Sequence, residues 1–387
     1  MEAVKHKLAI VTTHPIQYYA PIFKLLASSQ EIAVKVFYTF ERQDEIFDKG
    51  FGKSFAWDIP LLEGYDYSFV SNNGNKGKSF FAVKNPTLVS EIVNWGADSL
   101  LVFGWNYQSH LKAIRHFKGK IPVLFRGDSN LLNKQPVYKR ILRRIFLKWV
   151  YKHIDYALYV GCANREYFKA FGISEDNLVF APHAIENDRF RQISGTQQEE
   201  LKELKASLGI KPEDVCIVFC GKFQPVKNPL LLISAFNQLK YDNAILLFVG
   251  NGELESEMKK AAENDHRIKF LPFQNQTAMP KIYRLGQIFC LPSLSETWGL
   301  SINEAMASGS AVLVSDKVGC SQDLVIPDKN GYVFKSDDAN DLGNKLISFL
   351  SQQSRLKEMG NASEEIIKDW NFEAIVSAIN KVLIEAR

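Results

Sequence analysis

Two glutamates eight positions apart, Glu296 and Glu304, are the pair in this 387-residue chain whose setting speaks most directly of chemistry. They lie in the segment CLPSLSETWGLSINEAMASGSAVLVSD, Cys290–Asp316. An apolar run ends there at Leu291, a turn-prone stretch covers 292–299, and a helical pattern starts near Leu300. A helix that begins at this point leaves the amides of residues 299–303 as an anion site. Helical side chains tilt toward the N-terminus, so Glu304 can reach back toward the helix mouth. A phosphate held there sits beside two carboxylates, which as acceptors suit hydroxyl groups. Spacing alone recurs by chance in any chain; the strand–loop–helix setting gives this pair its weight.

With its surrounding text, the segment resembles glycosyltransferase family 4, the retaining nucleotide-sugar transferases of the GT-B fold. The E-x7-E element of that family matches Glu296, Trp298-Gly299 and Glu304-Ala305-Met306-Ala307. Three further segments match in the same order along the chain. Gly221-Lys222-Phe223 through Lys227-Asn228 is similar to the family's Gly-Arg-Leu…Lys-Gly, and Val249-Gly250-Asn251-Gly252 to its Val-Gly-x-Gly turn. Ala181-Pro182-His183-Ala184-Ile185-Glu186-Asn187 with Phe190 is similar to its Pro-Asn-Gly-Val-Asp…Phe stretch. The resemblance implies a donor site made of Gly221, Lys222, Lys227, Gly250, Gly252, Glu296, Thr297, Trp298, Gly299, Leu300 and Glu304. Glu304 would hold ribose hydroxyls and Glu296 the donor sugar. Lys222 and Lys227 would neutralise the departing diphosphate without a metal; out of context they read as two solvated lysines. Gly250 and Gly252 would let backbone approach a base or ribose closely. No cofactor is implied beyond the nucleoside-diphosphate sugar itself, and no metal.

The first half is expected to bind the acceptor. Its first loop, Thr13-His14-Pro15-Ile16-Gln17-Tyr18, lacks the glycine pair that family members often carry. His14 either offers an imidazole near the sugar or is a hydrogen-bonded loop residue, and Gln17 is a candidate acceptor contact. Arg126-Gly127-Asp128-Ser129 follows a strand end where many relatives place a histidine. Arg126 is a candidate for donor phosphate or acceptor, with Asp128 to orient it. The catalytic set is thus Glu296, Lys227, Lys222, His14 and Arg126, and the acceptor set Gln17, Arg126 and Asp128. An aromatic-rich insertion, 40–57, holds Phe47, Phe51, Phe55 and Trp57, suited to sugar stacking or to ordinary lid packing.

The elements that must position these residues are short apolar runs alternating with helical patterns. Strands are expected at Leu8–Thr12, Ile32–Tyr38, Ser99–Phe103, Ile121–Phe125 and Tyr156–Val160. In the second half they are expected at Val215–Cys220, Ala244–Val249, Ile268–Leu271, Ile288–Leu291, Ala311–Ser315 and Tyr332–Phe334. Runs this apolar belong to parallel sheets covered by helices on both faces. The alternation breaks at 189–214, a polar, turn-rich stretch. The expected fold is therefore α/β of GT-B architecture, two Rossmann-like doubly wound domains facing across a cleft. The expected division is 1–192 for acceptor binding, 193–370 for the nucleotide sugar, and a C-terminal helix, 371–387, packing back on the first domain.

Residues 138–153, YKRILRRIFLKWVYKH, concentrate positive charge around one apolar stripe. The segment is suited to an anionic leaflet or a lipid-diphosphate acceptor; alternatively it is a sheet-packed helix with a solvated basic edge. The net charge, 47 lysines and arginines against 43 aspartates and glutamates, argues against nucleic acid as partner. Gly77-Lys78-Ser79 mimics a P-loop ending, but Asn72 stands where the first glycine belongs. No apolar run approaches the ~20 residues of a membrane span. Five cysteines without a CxxC suggest a reduced, cytoplasmic protein, with the inner face of the plasma membrane as an alternative location. The function expected is a metal-independent, retaining glycosyltransferase acting on a glycan or lipid-linked acceptor in bacterial surface polysaccharide or glycolipid synthesis. The alternatives are a non-catalytic sugar-nucleotide-binding protein and an epimerase or phosphorylase of the same fold.

Overall fold

The computed structural model describes residues 5–41, 46–48, 50–74, 79–133 and 136–385. In chain order the first half runs β1 (His6–Thr12), α1 (Ala20–Ala27), β2 (Ile32–Tyr38), β3 (Ile46–Asp48), β4 (Lys53–Phe55) and β5 (Asp66–Phe69). It continues α2 (Leu88–Trp95), β6 (Ser99–Phe103), α3 (Gln108–Phe117), β7 (Val123–Arg126), α4 (Val137–Tyr151), β8 (Tyr156–Tyr159), α5 (Cys162–Ala170) and β9 (Leu178–Phe180). The second half runs α6 (Asn187–Arg191), α7 (Gly195–Ser207), β10 (Val215–Cys220), α8 (Pro229–Phe236), β11 (Ala244–Val249), α9 (Glu255–Ala261) and β12 (Ile268–Leu271). Then follow α10 (Met279–Tyr283), β13 (Ile288–Leu291), α11 (Leu300–Ala307), β14 (Ala311–Ser315), α12 (Ser321–Leu324), β15 (Gly331–Phe334), α13 (Ala339–Leu350), α14 (Leu356–Ile367) and α15 (Phe372–Glu385).

The described residues divide into two units. One draws on 1–44, 60–183 and 372–387, the other on 45–59 and 184–371. The first contains a parallel seven-stranded sheet in the order β5-β2-β1-β6-β7-β8-β9. Its core joins Val11, Val102, Phe125, Tyr151 and Phe168. Its last helix is α15, whose Phe372, Ile375, Ile379 and Val382 recur every three or four residues and are buried. That helix packs on α1 and β9.

The second unit contains a parallel six-stranded sheet in the order β12-β11-β10-β13-β14-β15. All six residues of β10 and of β11 are buried, as sheet faces covered by helices require. The strand order reverses between β10 and β13, which pair through Ile217–Ile288 and Val218–Phe289. Ligands of open α/β sheets bind beyond the carboxyl ends of strands at such a reversal.

The dividing point lies at 183/184 instead of 192/193. Residues 184–191 are committed to the second unit: Phe190 is fully buried against Tyr283, and Arg189 donates to the Gln276 carbonyl at 2.7 Å. The polar stretch that reads as a linker contains the short charged helix expected there, the surface helix α7, begun by a reciprocal Ser194–Gln197 capping box, and belongs to the second unit. Residues 45–59 also belong to the second unit. Asn275 Nδ2 donates to the Ala56 carbonyl at 2.7 Å, Thr277 Oγ1 donates to Asp58, and Phe51 meets Phe273 with ring centres 4.6 Å apart. The side chains of Phe47 and Phe55, and Gly77-Lys78, fall outside the described residues.

His110, fully buried at the first sheet's carboxyl edge, bridges Gly104 and Thr39. Its Nδ1 lies 2.9 Å from the Gly104 carbonyl and its Nε2 2.9 Å from Thr39 Oγ1. Burial lowers its pKa to about 4, despite raising contributions from the Gly104 and Phe103 backbone. The unfolded chain therefore takes this proton below about pH 6.5, whereas the folded protein resists it down to about pH 4. Stability should fall with pH across that window by up to about 1.4 kcal/mol per unit from this group. Urea unfolding of wild type and His110→Gln between pH 7.5 and 4.5 checks it: the variant should lose that part of the slope.

Candidate functional site

In the second unit, β10 hands over to a loop that carries Gly221, Lys222 and a 3-10 turn, Pro225–Lys227. Asn228 then adopts left-handed backbone, φ 52°, and starts α8. Asparagine is among the few non-glycine residues that tolerate this conformation. Across the strand reversal, β13 hands over to the loop of Glu296. The Leu294 amide donates to the Val226 carbonyl at 2.8 Å, so the two loops are bonded to each other. Lys227 and Glu296 form an ion pair, each side chain about a fifth exposed. The Glu296 backbone is fixed in turn: its amide donates to the Lys317 carbonyl at 3.1 Å, and its carbonyl accepts from the Gly319 amide at 3.2 Å.

Gly299 begins α11 at φ 104°, and no side chain caps this end. The helix thus offers its first amides and positive dipole end beside the Lys227–Glu296 pair. Thr297 is exposed and Leu300 half-buried in the same turn. Glu304, one turn into the helix, is only 3% exposed and accepts a 2.6 Å hydrogen bond from the Tyr283 hydroxyl of α10. It lies at the end of β10: burial pushes the Cys220 thiol well up, and the charge of Glu304 pushes it further. Nothing in the sequence around Tyr283 signals this role, since the contact is made across the packing of two helices.

Three expectations for donor residues change. Trp298 is buried, donates from Nε1 to Asn303 Oδ1 at 2.9 Å and stacks on Trp370 at 5.0 Å. Its side chain is a packing element, not a donor contact. Gly250 and Gly252 answer to a neighbouring loop. A Cβ at Gly250 would lie 2.0 Å from the Gly221 carbonyl oxygen, and one at Gly252 2.5 Å from that of Phe223. The close approach these glycines permit is between the β10 and β11 loops. Lys222 reaches the face of Phe51, 5.1 Å from the ring centre, so the inserted segment packs on a candidate phosphate cation.

In the first unit, His14 follows β1, half-buried, with its Nδ1 2.9 Å from Thr13 Oγ1 and its ring stacked on Phe40. Burial lowers its pKa. Gln17 lies half-buried in the same loop. Arg126 does not serve as expected. It is 3% exposed and spends both terminal nitrogens on the Ala181 and Pro182 carbonyls, each at 2.7 Å. It ties the end of β7 to the segment after β9 and leaves the catalytic and acceptor sets. Asp128, two residues on, is partly exposed and lies 3.7 Å from the buried imidazole of His183. His183, in the segment Ala181–Asn187, is a polar neighbour to which the sequence attaches no role of its own. Among the described residues no three His, Cys, Asp or Glu side chains gather as metal ligands would.

Residues 200–366, which hold the Lys227–Glu296 pair and Glu304, match the family described as glycosyl transferases group 1. The chain carries a glycosyl transferases group 1 domain. The D-inositol 3-phosphate glycosyltransferase of Nocardia farcinica is 27% identical over 208 residues, 51% of this chain and 45% of that protein. The UDP-Gal:alpha-D-GlcNAc-diphosphoundecaprenol alpha-1,3-galactosyltransferase of Escherichia coli is 26% identical over 212 residues, 53% of each chain. The chain thus spans about half the length of these relatives. The crystal structure of Anabaena HepE in complex with UDP and glucose matches 98% of this chain and 99% of its own, with a TM-score of 0.70 at 16% identity. The chain shares the GT-B fold with such structures.

Two glycines, one in the β11 loop and one in a helix, provide a test of the packing. Gly250→Ala forces its Cβ into the Gly221 carbonyl at φ 145° and should cost about 3 kcal/mol in urea unfolding. Gly343→Ala, in α13 with open space around it, should instead stabilise by about 0.5–1 kcal/mol.

Proposed function

We propose that the chain is a retaining glycosyltransferase that moves a sugar from a nucleoside-diphosphate sugar to a lipid-linked or glycan acceptor, without a metal, in bacterial surface glycan or glycolipid assembly. The observation that carries this reading is the Lys227–Glu296 pair at the strand reversal, beside the uncapped start of α11. A diphosphate gains negative charge as the glycosidic bond breaks. Lys227 and the α11 amides stabilise that charge where it develops. When phosphate takes up Lys227, the Glu296 carboxylate turns to the hydroxyls of the donor sugar. Glu304, oriented by Tyr283, takes the ribose. Lys222 meets the phosphates once it leaves Phe51. Similar proteins support the reading: one is a D-inositol 3-phosphate glycosyltransferase, another carries UDP-Gal in its name, and HepE was crystallised with UDP and glucose.

Lys227→Ala should lower turnover about a hundredfold, the ~3 kcal/mol that a preorganised charge partner contributes, with the fold intact. Glu296→Ala should also lower turnover, whereas Glu304→Ala should mainly weaken nucleotide binding. Activity should survive EDTA. Normal turnover of folded Lys227→Ala and Glu296→Ala, or EDTA inactivation reversed by Mg²⁺, would count against the donor site as drawn.

Support for a lipid-linked acceptor comes from α4. Ile141, Leu142 and Ile145 are 54%, 67% and 65% exposed, and Val137 and Tyr138 are exposed as well. Lys139, Arg140, Arg143, Arg144 and Lys148 flank this stripe, and the helix holds no acidic residue. The helix packs inward near its end, where Leu147, Val150 and Tyr151 are buried, Trp149 lies against the same core and Phe146 meets Trp105. Such a face suits the interface of an anionic bilayer. Among the described residues no helix is long and apolar enough to cross a membrane. The protein should co-sediment with phosphatidylglycerol vesicles and lose this in high salt or on Arg140→Glu/Arg144→Glu, at about 1 kcal/mol per charge. Equal binding to uncharged vesicles would remove the electrostatic part of the proposal.

A further inference from the structure

Behind α4 the first unit holds a cavity of about 290 Å³. It opens beyond the carboxyl ends of β6 and β7, between α4 and α5, where open α/β sheets place ligands. Aromatic rings form much of its wall: Trp105, Phe125, Tyr151, Tyr167 and Phe168. Polar groups converge on it from two loops and a helix: Asn106 after β6, Asp128 and Ser129 after β7, and Arg143 from α4. Arg143 is the cation in this lining. It leans inward, its Nη2 3.4 Å from the Tyr167 hydroxyl and its guanidinium 5.9 Å from that ring's centre. Arg143 also sits on the helix whose apolar stripe is uncovered, so one residue borders both the cavity and the stripe.

The chemistry of this lining is specific. Aromatic faces take the C–H face of a sugar ring, a carboxylate and an amide take hydroxyls, and a guanidinium takes phosphate. A phosphate bound at Arg143 has the apolar stripe of α4 beside it, where an acyl or polyprenyl chain could continue. We infer that the cavity between α4 and α5 binds the sugar phosphate head of a membrane-borne acceptor, with phosphate on Arg143 and hydroxyls on Asp128 and Asn106. This rests on the glycosyltransferase reading and adds to it the acceptor's class: a glycosyl phosphate whose other phosphate substituent is a lipid. The cavity volume suits one sugar ring with its phosphate rather than a long glycan.

The test uses the full chain and soluble probes. Glucose, galactose, mannose and N-acetylglucosamine 1-phosphates are titrated calorimetrically into wild type, Arg143→Gln, Arg144→Gln and Lys227→Ala, with inorganic phosphate and UDP in parallel. At least one sugar phosphate should bind wild type and Lys227→Ala alike and bind Arg143→Gln at least tenfold more weakly. Arg144→Gln, outside the cavity lining, should change it less than twofold. Asp128→Asn should weaken the same sugar phosphate and leave inorganic phosphate unchanged. The assignment is overturned if none of the four binds, if Arg143→Gln is without effect, if Lys227→Ala abolishes binding, or if inorganic phosphate binds as tightly. UDP separates the two readings. Failure of wild type to bind UDP while it binds a sugar phosphate counts against the donor site alone, and the reverse against the cavity alone.

Discussion

The second unit depends on a contact between loops that leave strands on either side of the sheet's reversal. β10 and β13 are adjacent in space, so Lys227 and Glu296, 69 positions apart, meet as an ion pair. The pair is possible because the loops are held from both sides. The Leu294–Val226 hydrogen bond fixes one side, and Gly250, packed against the Gly221 carbonyl, fixes the other. Each group is thereby preorganised by main-chain geometry, which costs no reorganisation when charge changes. A half-buried pair of this kind also restrains itself: each partner compensates the other until a stronger anion or a hydroxyl intervenes.

The sheets were legible in the sequence for a simple reason. Runs such as VCIVFC and AILLFV are apolar at every position, a pattern that two helix-covered faces demand, and they form strands at the bounds read from them. Short edge strands such as β5 and β9 were not legible. Asp66–Phe69 is half-exposed and mixed in character, and only pairing with β2 makes it a strand. The linker was misplaced because polarity marks any solvated helix as readily as a boundary. α7 is such a helix, and the chain passes between units nine residues earlier, where composition is unremarkable.

Site residues divided along the same line. Lys227, Glu296 and the start of α11 were placed by motif and strand ends, and the fold brings them together. Trp298, Arg126 and the two loop glycines are of types that suit ligand roles. The structure turns each toward the protein: Trp298 to Trp370, Arg126 to two carbonyls, Gly250 and Gly252 to the adjacent loop. Residue type reports what a side chain can do, while direction is set by packing that sequence spacing does not encode. Tyr283 shows the converse, a residue with no motif that fixes the carboxylate of Glu304.

The position of α15 in the chain carries a consequence for synthesis. This helix belongs to the unit built from the first half, yet it is made after all of the other unit. On the ribosome, the face of α1 and the edge at β9 that α15 covers stay bare while the second unit emerges and folds. The unit that starts first is thus the one that finishes last. Until residues 372–385 arrive, its uncovered apolar surface is where a chaperone would bind the nascent chain or where two unfinished chains would stick together.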